Sequence, residues 1–313
     1  MQENYLQKPI EVQKADMAMS DFTSGGVLVR DQRKKFILVN IKGTVVTARV
    51  QVRNMSKESE ELPKLTTFGS QVLYPATESQ APTYAQRSKP GTDKVTLTSQ
   101  EIIAAIDYPR YVLKNQVEGP SFKSTLMAYL GQHTRRDIEN LIVNGDTTST
   151  NTLLAMFDGM IASATSNTYA AGAAALSTAI LDTTTLTMPE EYDDQDGLVF
   201  LTNKTARAAY RKELGARGTQ LGDANQISSK SVQYDDSEVI RVPMFPNTLG
   251  GGTETVVLYL DPKQWIFAFH EAIETQTEYN IRERSWTVVL TMRVAQDYEH
   301  EPAVVKATGV LGQ

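Results

Sequence analysis

The clearest feature in the pattern of hydrophobic and polar positions is a long polar ribbon that precedes one amphipathic helix. Residues 68–106 are mostly polar and contain two turn segments, 81–84 and 88–93, which predicts a long two-stranded hairpin. An isolated two-stranded hairpin is at best marginally stable in water. The ribbon is therefore expected to lie on a neighbouring subunit, and replacing 71–99 by a short turn is expected to leave a folded chain that no longer assembles.

The helix after the ribbon is predicted from its apolar spacing. Residues 119–121 supply a break and a proline, which a first helical turn tolerates because its N–H needs no partner there. Gly145 is expected to end the helix in the left-handed conformation. About 23 residues at roughly 1.5 Å each give a rod on the order of 35 Å, which suits a spine. The apolar residues of the helix, which follow mostly along one stripe, are Phe122, Leu126, Leu130, Ile138, Leu141 and Ile142.

Several segments outside the ribbon and the helix carry weaker patterns. Residues 45–53 alternate apolar and polar positions, which predicts a half-buried strand, and 56–61 is interpreted as a solvated turn. Residues 162–179 are rich in Ala, Ser and Thr and low in bulk, which favours loops. A polar segment at 218–230 predicts another loop.

The second half of the chain is expected to have a core of its own. A helix over 204–214 is predicted, with Thr202 or Asn203 as its N-terminal cap and Gly215 at its end. The predicted strands of this half are 197–201, 255–260, 265–269 and 285–294. Mixed helices and strands of this kind predict an α+β fold.

Composition narrows the class of protein. The 313 residues, of which 41% are hydrophobic, are enough for two domains with a real core. A net charge of −6 argues against a dedicated nucleic-acid binder, because phosphate contacts need clustered Lys and Arg. The chain has no cysteine, which excludes disulfides, thiolate catalysis and Cys-ligated metal. No apolar run approaches about 18 residues, and no signal peptide is expected at the N-terminus.

The candidate chemistry is weak throughout. The three histidines, His133, His270 and His300, form no metal-binding motif and are interpreted as structural or surface residues. Asp193, Asp194 and Asp196 suggest a calcium loop, but Lys204 stands where a bidentate glutamate is needed, so a solvated turn is favoured.

Two further segments lack the residues that their chemistry would need. The glycines of 249–253 lack the Lys-Ser or Lys-Thr of a phosphate-binding loop and predict a hairpin turn. No nucleophile elbow is found. The sequence therefore predicts no enzyme, no cofactor and no metal.

Three segments, in this order and spacing, resemble one protein family. They are the helix end 137–146, which closes on Asn-Gly-Asp, the segment Leu260-Asp261-Pro262 followed by 265–269, and the segment 301–306, which begins Glu-Pro-Ala. Together with the ribbon, they are similar to the major capsid protein of tailed double-stranded DNA bacteriophages, which has the Hong Kong ninety-seven phage fold. The likeness covers most of the chain.

The resemblance implies a domain map for an α+β capsid fold. It consists of an N-terminal arm, 1–29; a peripheral-domain helix and strand, 30–65; an extended β-hairpin loop, 66–106; the peripheral domain with its long spine helix, 107–152; an axial domain, 153–272; long peripheral-domain strands, 273–296; and an axial-domain C-terminal strand, 297–313. The spine helix is the predicted helix described above.

The resemblance also implies a function in the virion capsid. Hexamers and pentamers of the chain are expected to form an icosahedral shell around double-stranded DNA, assembled in the host cytoplasm. Expected partners are a portal, a scaffold protein separate from this chain, a decoration protein and DNA contacted non-specifically. The basic cluster at 33–35 is either a solvated helix face or a contact with packaged DNA.

Two alternatives stay open at this point. One is an encapsulin-like compartment, which has the same fold but encloses cargo enzymes. The other is a hydrolase with a mobile lid at 66–106, for which the sequence offers no converging nucleophile and base.

Self-crosslinking members of the family join a lysine of the extended loop to an asparagine of a neighbour, with the help of a glutamate. Lys89 occupies the lysine position, but Ser285 and Met292 stand where the asparagine and the glutamate are expected. No covalent crosslinking is therefore predicted. The extended-loop residues expected at contacts between subunits are Tyr84, Arg87, Lys89 and Asp93.

Overall fold

A computed structural model describes residues 44–65, 72–75, 89–111, 122–193, 195–216 and 232–312, and the single positions 78, 81, 83, 84 and 87. The described chain divides into two compact units. Residues 103–133 and 273–291 belong to the first unit, and the other described residues belong to the second. The predicted arm, the basic cluster at 33–35 and the predicted loop at 218–230 lie outside the described residues.

The described elements begin and end with runs of strands, and the helices lie between these runs. The helices are α1 (Phe122–Asn144), α2 (Met160–Ser163), α3 (Thr178–Leu186) and α4 (Lys204–Ala216). The strands are β1 (Gln51–Asn54), β2 (Ser59–Leu65), β3 (Thr92–Thr98), β4 (Gln100–Pro109), β5 (Asn167–Ala174), β6 (Val199–Thr202), β7 (Val232–Tyr234), β8 (Ser237–Arg241), β9 (Glu254–Leu260), β10 (Trp265–Asn280), β11 (Ser285–Tyr298) and β12 (Val305–Leu311). Short 3-10 helices cover Leu154–Met156, Pro262–Gln264 and Glu301–Ala303.

A six-stranded sheet in the order β5-β12-β9-β6-β8-β7 forms the centre of the second unit. Successive side chains of a strand point to opposite faces, and β9 places its side chains in two separate hydrophobic clusters. Val257 and Tyr259 pack in a cluster with Leu181 of α3 and Tyr210 of α4. Leu258 and other β9 residues pack in a larger cluster that includes the end of α1. Burial of β9 on both faces explains its nearly continuous apolar sequence.

The predicted strand at 45–53 is mostly wrong. Residues 44–50 form turns, in which Arg49 N–H and Val50 N–H both donate to the carbonyl of Val46. Only β1 is a strand, and it pairs in parallel with the start of β10. The alternation of the valines predicted a strand. Val46 and Val50 are both buried, but this does not require a strand, because a helical turn also brings positions four apart to one side.

The ribbon begins earlier in the chain than predicted. Its outgoing strand is β2, so the predicted solvated turn at 56–61 is wrong for Ser59 to Glu61. The predicted return strand is two strands, since β3 pairs with β2 whereas β4 belongs to a four-stranded sheet in the order β1-β10-β11-β4. The register of the ribbon runs from Ser59 opposite Thr98 to Leu65 opposite Thr92.

Helix α1 confirms the predicted helix, with 23 residues that end at Asn144, and its role as a spine stays a prediction. The predicted reason for the glycine after it is wrong, because Gly145 is not among the glycines with positive φ. A Cβ on Gly145 would lie 2.4 Å from the carbonyl oxygen of Phe157 and 2.9 Å from the nitrogen of Gly159. Glycine is needed here because two backbone segments cross in close contact, with Gly159 N–H donating to the Gly145 carbonyl at 2.8 Å.

The predicted loop at 162–179 is also wrong. It contains β5, which pairs in parallel with β12 at the edge of the six-stranded sheet. The small side chains of this segment predicted a loop. An exposed edge strand shows little of the apolar alternation that marks a half-buried strand, so the pattern did not reveal β5. The predicted helix at 204–214 is confirmed as α4, with Asn203 accepting a hydrogen bond from Ala206 N–H at 2.7 Å. It continues one residue past Gly215.

The first unit contains parts of β4, α1, β10 and β11. Its buried apolar residues include Tyr108, Leu130 and Val288. The Arg110 N–H donates to the carbonyl of Arg284, and the rings of Tyr279 and Trp286 lie 5.0 Å apart. The final residues of β10 are mostly exposed.

Candidate assembly surface

The β2–β3 ribbon base, Ser59–Leu65 with Thr92–Thr98, packs against the body of its own chain. Val95 and Leu97 are buried, and they form a cluster with Ile266 and Ala268 of β10. Leu62, opposite Val95 in the ribbon, packs on the same cluster. The inner face of the ribbon base is therefore part of the fold of the subunit and is not available to a neighbour.

The cross-strand ion pairs of the ribbon base are formed within one chain. The ammonium of Lys64 lies 3.1 Å from the carboxylate of Asp93, and Lys94 lies 2.6 Å from Glu61. A hydrogen bond from the Lys94 N–H, followed by the contact with Lys64, lowers the pKa of Asp93. Asp93 therefore has an intrachain partner, and its predicted contact with a neighbour stays a prediction.

Beyond the ribbon base, the chain exposes apolar side chains. Leu73 is 83% exposed and Tyr84 is 91% exposed, and Leu65, the last residue of the ribbon base, is 75% exposed. Arg87 and Lys89 are exposed as well. A large apolar side chain in water forgoes the stabilisation that burial provides. The described part of the extended loop thus carries the surface that a neighbouring subunit could cover.

The positions relevant to crosslinking differ in their access to solvent. Lys89 is exposed, whereas Ser285 is 6% exposed and Met292 is buried in the largest hydrophobic cluster. A serine offers no carboxamide and a thioether accepts no proton at neutral pH. Neither buried residue supplies the chemistry that an isopeptide bond with Lys89 needs.

Most of the predicted spine-helix residues are buried or partly buried on α1. Ile138 and Leu141 are buried in the largest cluster, Leu130 is buried, and Leu126 is partly buried. The side chain of Phe122 lies outside the described part of the structure. These side chains stabilise the subunit, and their role in assembly stays a prediction.

Sequence reasoning missed a buried carboxylate on the spine helix. Glu139 has 0% exposure, and its two oxygens accept hydrogen bonds from the Val45 N–H at 3.0 Å and the Thr47 hydroxyl at 3.1 Å. Burial raises the pKa of Glu139, although hydrogen bonds from residues 45–47 act in the opposite direction. The carboxylate fixes the turn before β1 to the helix. No sequence signal distinguished Glu139 from the exposed charges around it.

The other candidate sites contain no metal-binding cluster among the described residues. No group of three or more His, Asp or Glu side chains there could hold a metal ion. Residues 249–254 form the predicted hairpin turn, in which Gly250, Gly251 and Gly252 have positive φ. Within the described chain, no helix is sufficiently long and apolar to cross a membrane.

The comparisons with known proteins agree with this picture of an assembling subunit. Over 310 residues, which are 96% of this chain and 97% of the relative, the sequence is 29% identical to a Bacillus subtilis (strain 168) protein named "Putative prophage capsid protein YqbE". No family model matches the chain.

Solved structures match the fold over nearly the whole chain. The capsid of a native GTA particle, determined with C5 symmetry, matches with a TM-score of 0.66 and 15% identity, over 90% of this chain and 96% of that chain. The holo-SrpI encapsulin complex from Synechococcus elongatus PCC 7942 matches with a TM-score of 0.60 and 10% identity, over 95% and 96% of the two chains. Phage capsids are also among the matching structures.

The chain thus has the α+β fold of these solved structures, which is the Hong Kong ninety-seven phage fold. Along nearly its whole length, it is also similar to a protein named as a prophage capsid protein. The resemblance found in the sequence is confirmed, and so is the predicted α+β fold class.

Proposed function

We propose that this chain forms the icosahedral shell of a virion from hexamers and pentamers, that the shell encloses double-stranded DNA, and that the chain has no enzymatic activity. The observation that carries the proposal is a contrast within the ribbon. The inner face of its base is packed on its own subunit, whereas Leu65 at the end of the base and Leu73 and Tyr84 beyond it are exposed. The extended loop of each subunit lies on the next one and buries these side chains there.

Burial of these side chains favours assembly. Full burial of a large apolar side chain contributes about 1.5–3 kcal/mol. Leu65, Leu73 and Tyr84 are all exposed in the subunit, and the same contact is repeated by every copy. Contacts of this head-to-tail kind close into rings when the rotation between subunits permits it.

Size-exclusion chromatography and negative-stain microscopy of the purified protein test the assembly. We expect capsomers or shells far above the subunit mass of 34.6 kDa. A monodisperse monomer at high concentration would contradict the proposal. Portal, scaffold and decoration proteins are proposed partners, and their co-purification with particles from infected or induced cells tests this. We also propose that assembly takes place in the host cytoplasm.

We also propose that the shell is held without covalent crosslinks. Lys89 has neither an asparagine nor a glutamate at the positions that the resemblance assigns, because these are the buried Ser285 and Met292. Mature particles boiled in detergent are expected to run as one band at the subunit mass, and Lys89→Arg is expected to leave assembly intact. A ladder of covalent oligomers that disappears in the Lys89→Arg variant would refute this part of the proposal.

The second candidate function is an encapsulin-like compartment, which the match to the encapsulin structure supports. That match has a lower TM-score than the match to the GTA particle capsid. The contents of particles isolated from the native source decide between the two candidates. Encapsulated double-stranded DNA supports the virion shell, whereas a packaged enzyme without nucleic acid supports the compartment.

A further inference from the structure

A charged cleft of about 720 Å³ opens in the second unit, beside Leu65 at the end of the ribbon base. Arg49 lines it from the turn before β1, Lys64 from the end of β2, and Lys263 from the 3-10 helix before β10. Glu299 and His300 line it from the segment after β11. Three permanent cations thus face one carboxylate in this charged cleft.

The cations of the charged cleft are neutralised to different extents. Lys64 lies 3.1 Å from Asp93, and Arg49 lies 3.6 Å from Glu238. The ammonium of Lys263 is exposed and forms no ion pair with another described residue. Burial, and then the charge of Lys64, lowers the pKa of His300, so its neutral ring offers one N–H donor. The cleft therefore favours a partner with carboxylates.

An acidic hairpin lies on the same unit. Asp235 and Asp236 form the turn between β7 and β8, and both have positive φ, 45° and 61°. This is the geometry of a two-residue turn of the type that joins tight hairpins. Both aspartates are exposed and line a hollow of about 370 Å³ together with Asp193 and Asp196. The tip of this hairpin presents carboxylates on a narrow, rigid support.

We propose that the charged cleft of one subunit binds the β7–β8 hairpin tip of a second copy of this chain. The carboxylates of Asp235 and Asp236 face Lys263 and Arg49 there, and the His300 ring donates its N–H. Complementary charges of this kind set the register of two subunits and speed their encounter. The inference rests on the proposed function, since it adds a second contact between subunits to the one made by the extended loop.

The test is a charge-reversal cycle on the full-length protein, with shells counted by light scattering and negative-stain microscopy at low salt. Lys263→Glu adds a second carboxylate to the lining of the charged cleft, and we expect about tenfold fewer shells, because like charges across an interface are costly. Adding Asp235→Asn and Asp236→Asn removes the repulsion while keeping a residue type that tolerates positive φ. The triple variant is expected to recover most of the lost assembly.

Lys212→Glu is the matched control, because Lys212 is exposed on α4 and does not line the charged cleft. It makes the same change of charge and is expected to assemble like the wild type. Circular dichroism of each dissociated subunit shows whether it is folded. If Lys263→Glu is not folded, Lys263→Gln is used instead, and a smaller loss of shells is expected.

The results separate this inference from the proposed function. If Lys263→Glu assembles as well as Lys212→Glu, or if the triple variant assembles no better than Lys263→Glu alone, the contact is overturned while the shell function stands. If the wild-type protein forms no shells, the proposed function itself fails.

Discussion

The ribbon base differs from the described residues of the extended loop between its two strands in what covers their side chains. In the base, Val95 and Leu97 are buried against β10 of the same chain, and Leu97 is only 2% exposed. Farther along, Leu73 and Tyr84 are exposed. The same hairpin is thus anchored by intrachain packing at one end and offers apolar surface at the other.

This difference separates folding from assembly within one structural element. A two-stranded ribbon is too thin to bury side chains by itself, so each part of it needs another surface. The base finds that surface on β10. We propose that the extended loop finds it on a neighbouring subunit. Anchoring the base fixes the direction in which the loop leaves the subunit, which reduces the conformational entropy lost when the loop binds.

The largest effect is expected from deleting the anchored part of the hairpin. Replacing 71–99 removes β3, including Val95 and Leu97, and the subunit is expected to unfold. The sequence predicted a folded chain for this deletion, but a folded chain is expected only when the deletion leaves β3 intact. Replacing 66–91 by an Asn-Gly turn joins Leu65 to Thr92, which are directly opposite in the ribbon. That variant is expected to be folded and unable to form shells.

Thermal unfolding and size-exclusion chromatography measure the two deletions side by side. A folded 71–99 deletion would show that the ribbon base contributes nothing to the core. Normal shells from the 66–91 deletion would show that the extended loop is not required for assembly.

A single substitution in the ribbon base is expected to have the next largest effect. Leu97→Ala removes a buried side chain and leaves a cavity, which should lower the free energy of unfolding by about 2–5 kcal/mol. Thr96→Ala, on the exposed outer face, is the control and should change it by less than about 0.5 kcal/mol. Urea unfolding of the dissociated subunit measures both, and equal values for the two variants would contradict the burial of Leu97.

A smaller effect is expected at Glu139, with a defined dependence on pH. Glu139→Ala leaves the Val45 N–H and the Thr47 hydroxyl without their acceptor, which should cost about 1–3 kcal/mol. Because burial raises the pKa of Glu139 above its ordinary value of 4.5, the folded state binds this proton more tightly than the unfolded state. The contribution of Glu139 to stability should therefore decrease as the pH rises from 4.5 through the raised pKa.

Glu139→Gln isolates this dependence, since the amide does not titrate. The difference in free energy of unfolding between wild type and Glu139→Gln should fall with rising pH in that window and stay constant above it. A difference that increases with pH would mean that hydrogen bonding outweighs burial at this carboxyl.

The smallest effect is expected on the outer face of the ribbon base. Lys94 and Glu61 form an ion pair with both side chains more than half exposed. Such pairs contribute about 0–1 kcal/mol and are screened by salt. A double-mutant cycle with Lys94→Met and Glu61→Gln in low and high salt measures the coupling. A coupling that is large and independent of salt would show that the pair is shielded from solvent.

Much of the fold was determined by local sequence patterns. The apolar stripe and the flanking residues predicted α1, which ends at the predicted Asn144, and the apolar run 255–260 predicted β9 within one residue. Asn203 was predicted as a cap and accepts the hydrogen bond from Ala206. These features depend on residues close together in the chain, so periodicity and capping preferences are sufficient to find them.

Tertiary structure alone decided the features that depend on distant residues. Val95 and Leu97 of the ribbon base are buried because they pack against β10. Gly145 is required because a segment twelve or more residues later crosses it, and β5 is a strand because β12, from the end of the chain, pairs with it. Glu139 is buried because the turn at 45–47 folds over it. A local pattern contains no information about which remote segment will supply the partner, so these side chains and strands could be assigned only from the folded chain.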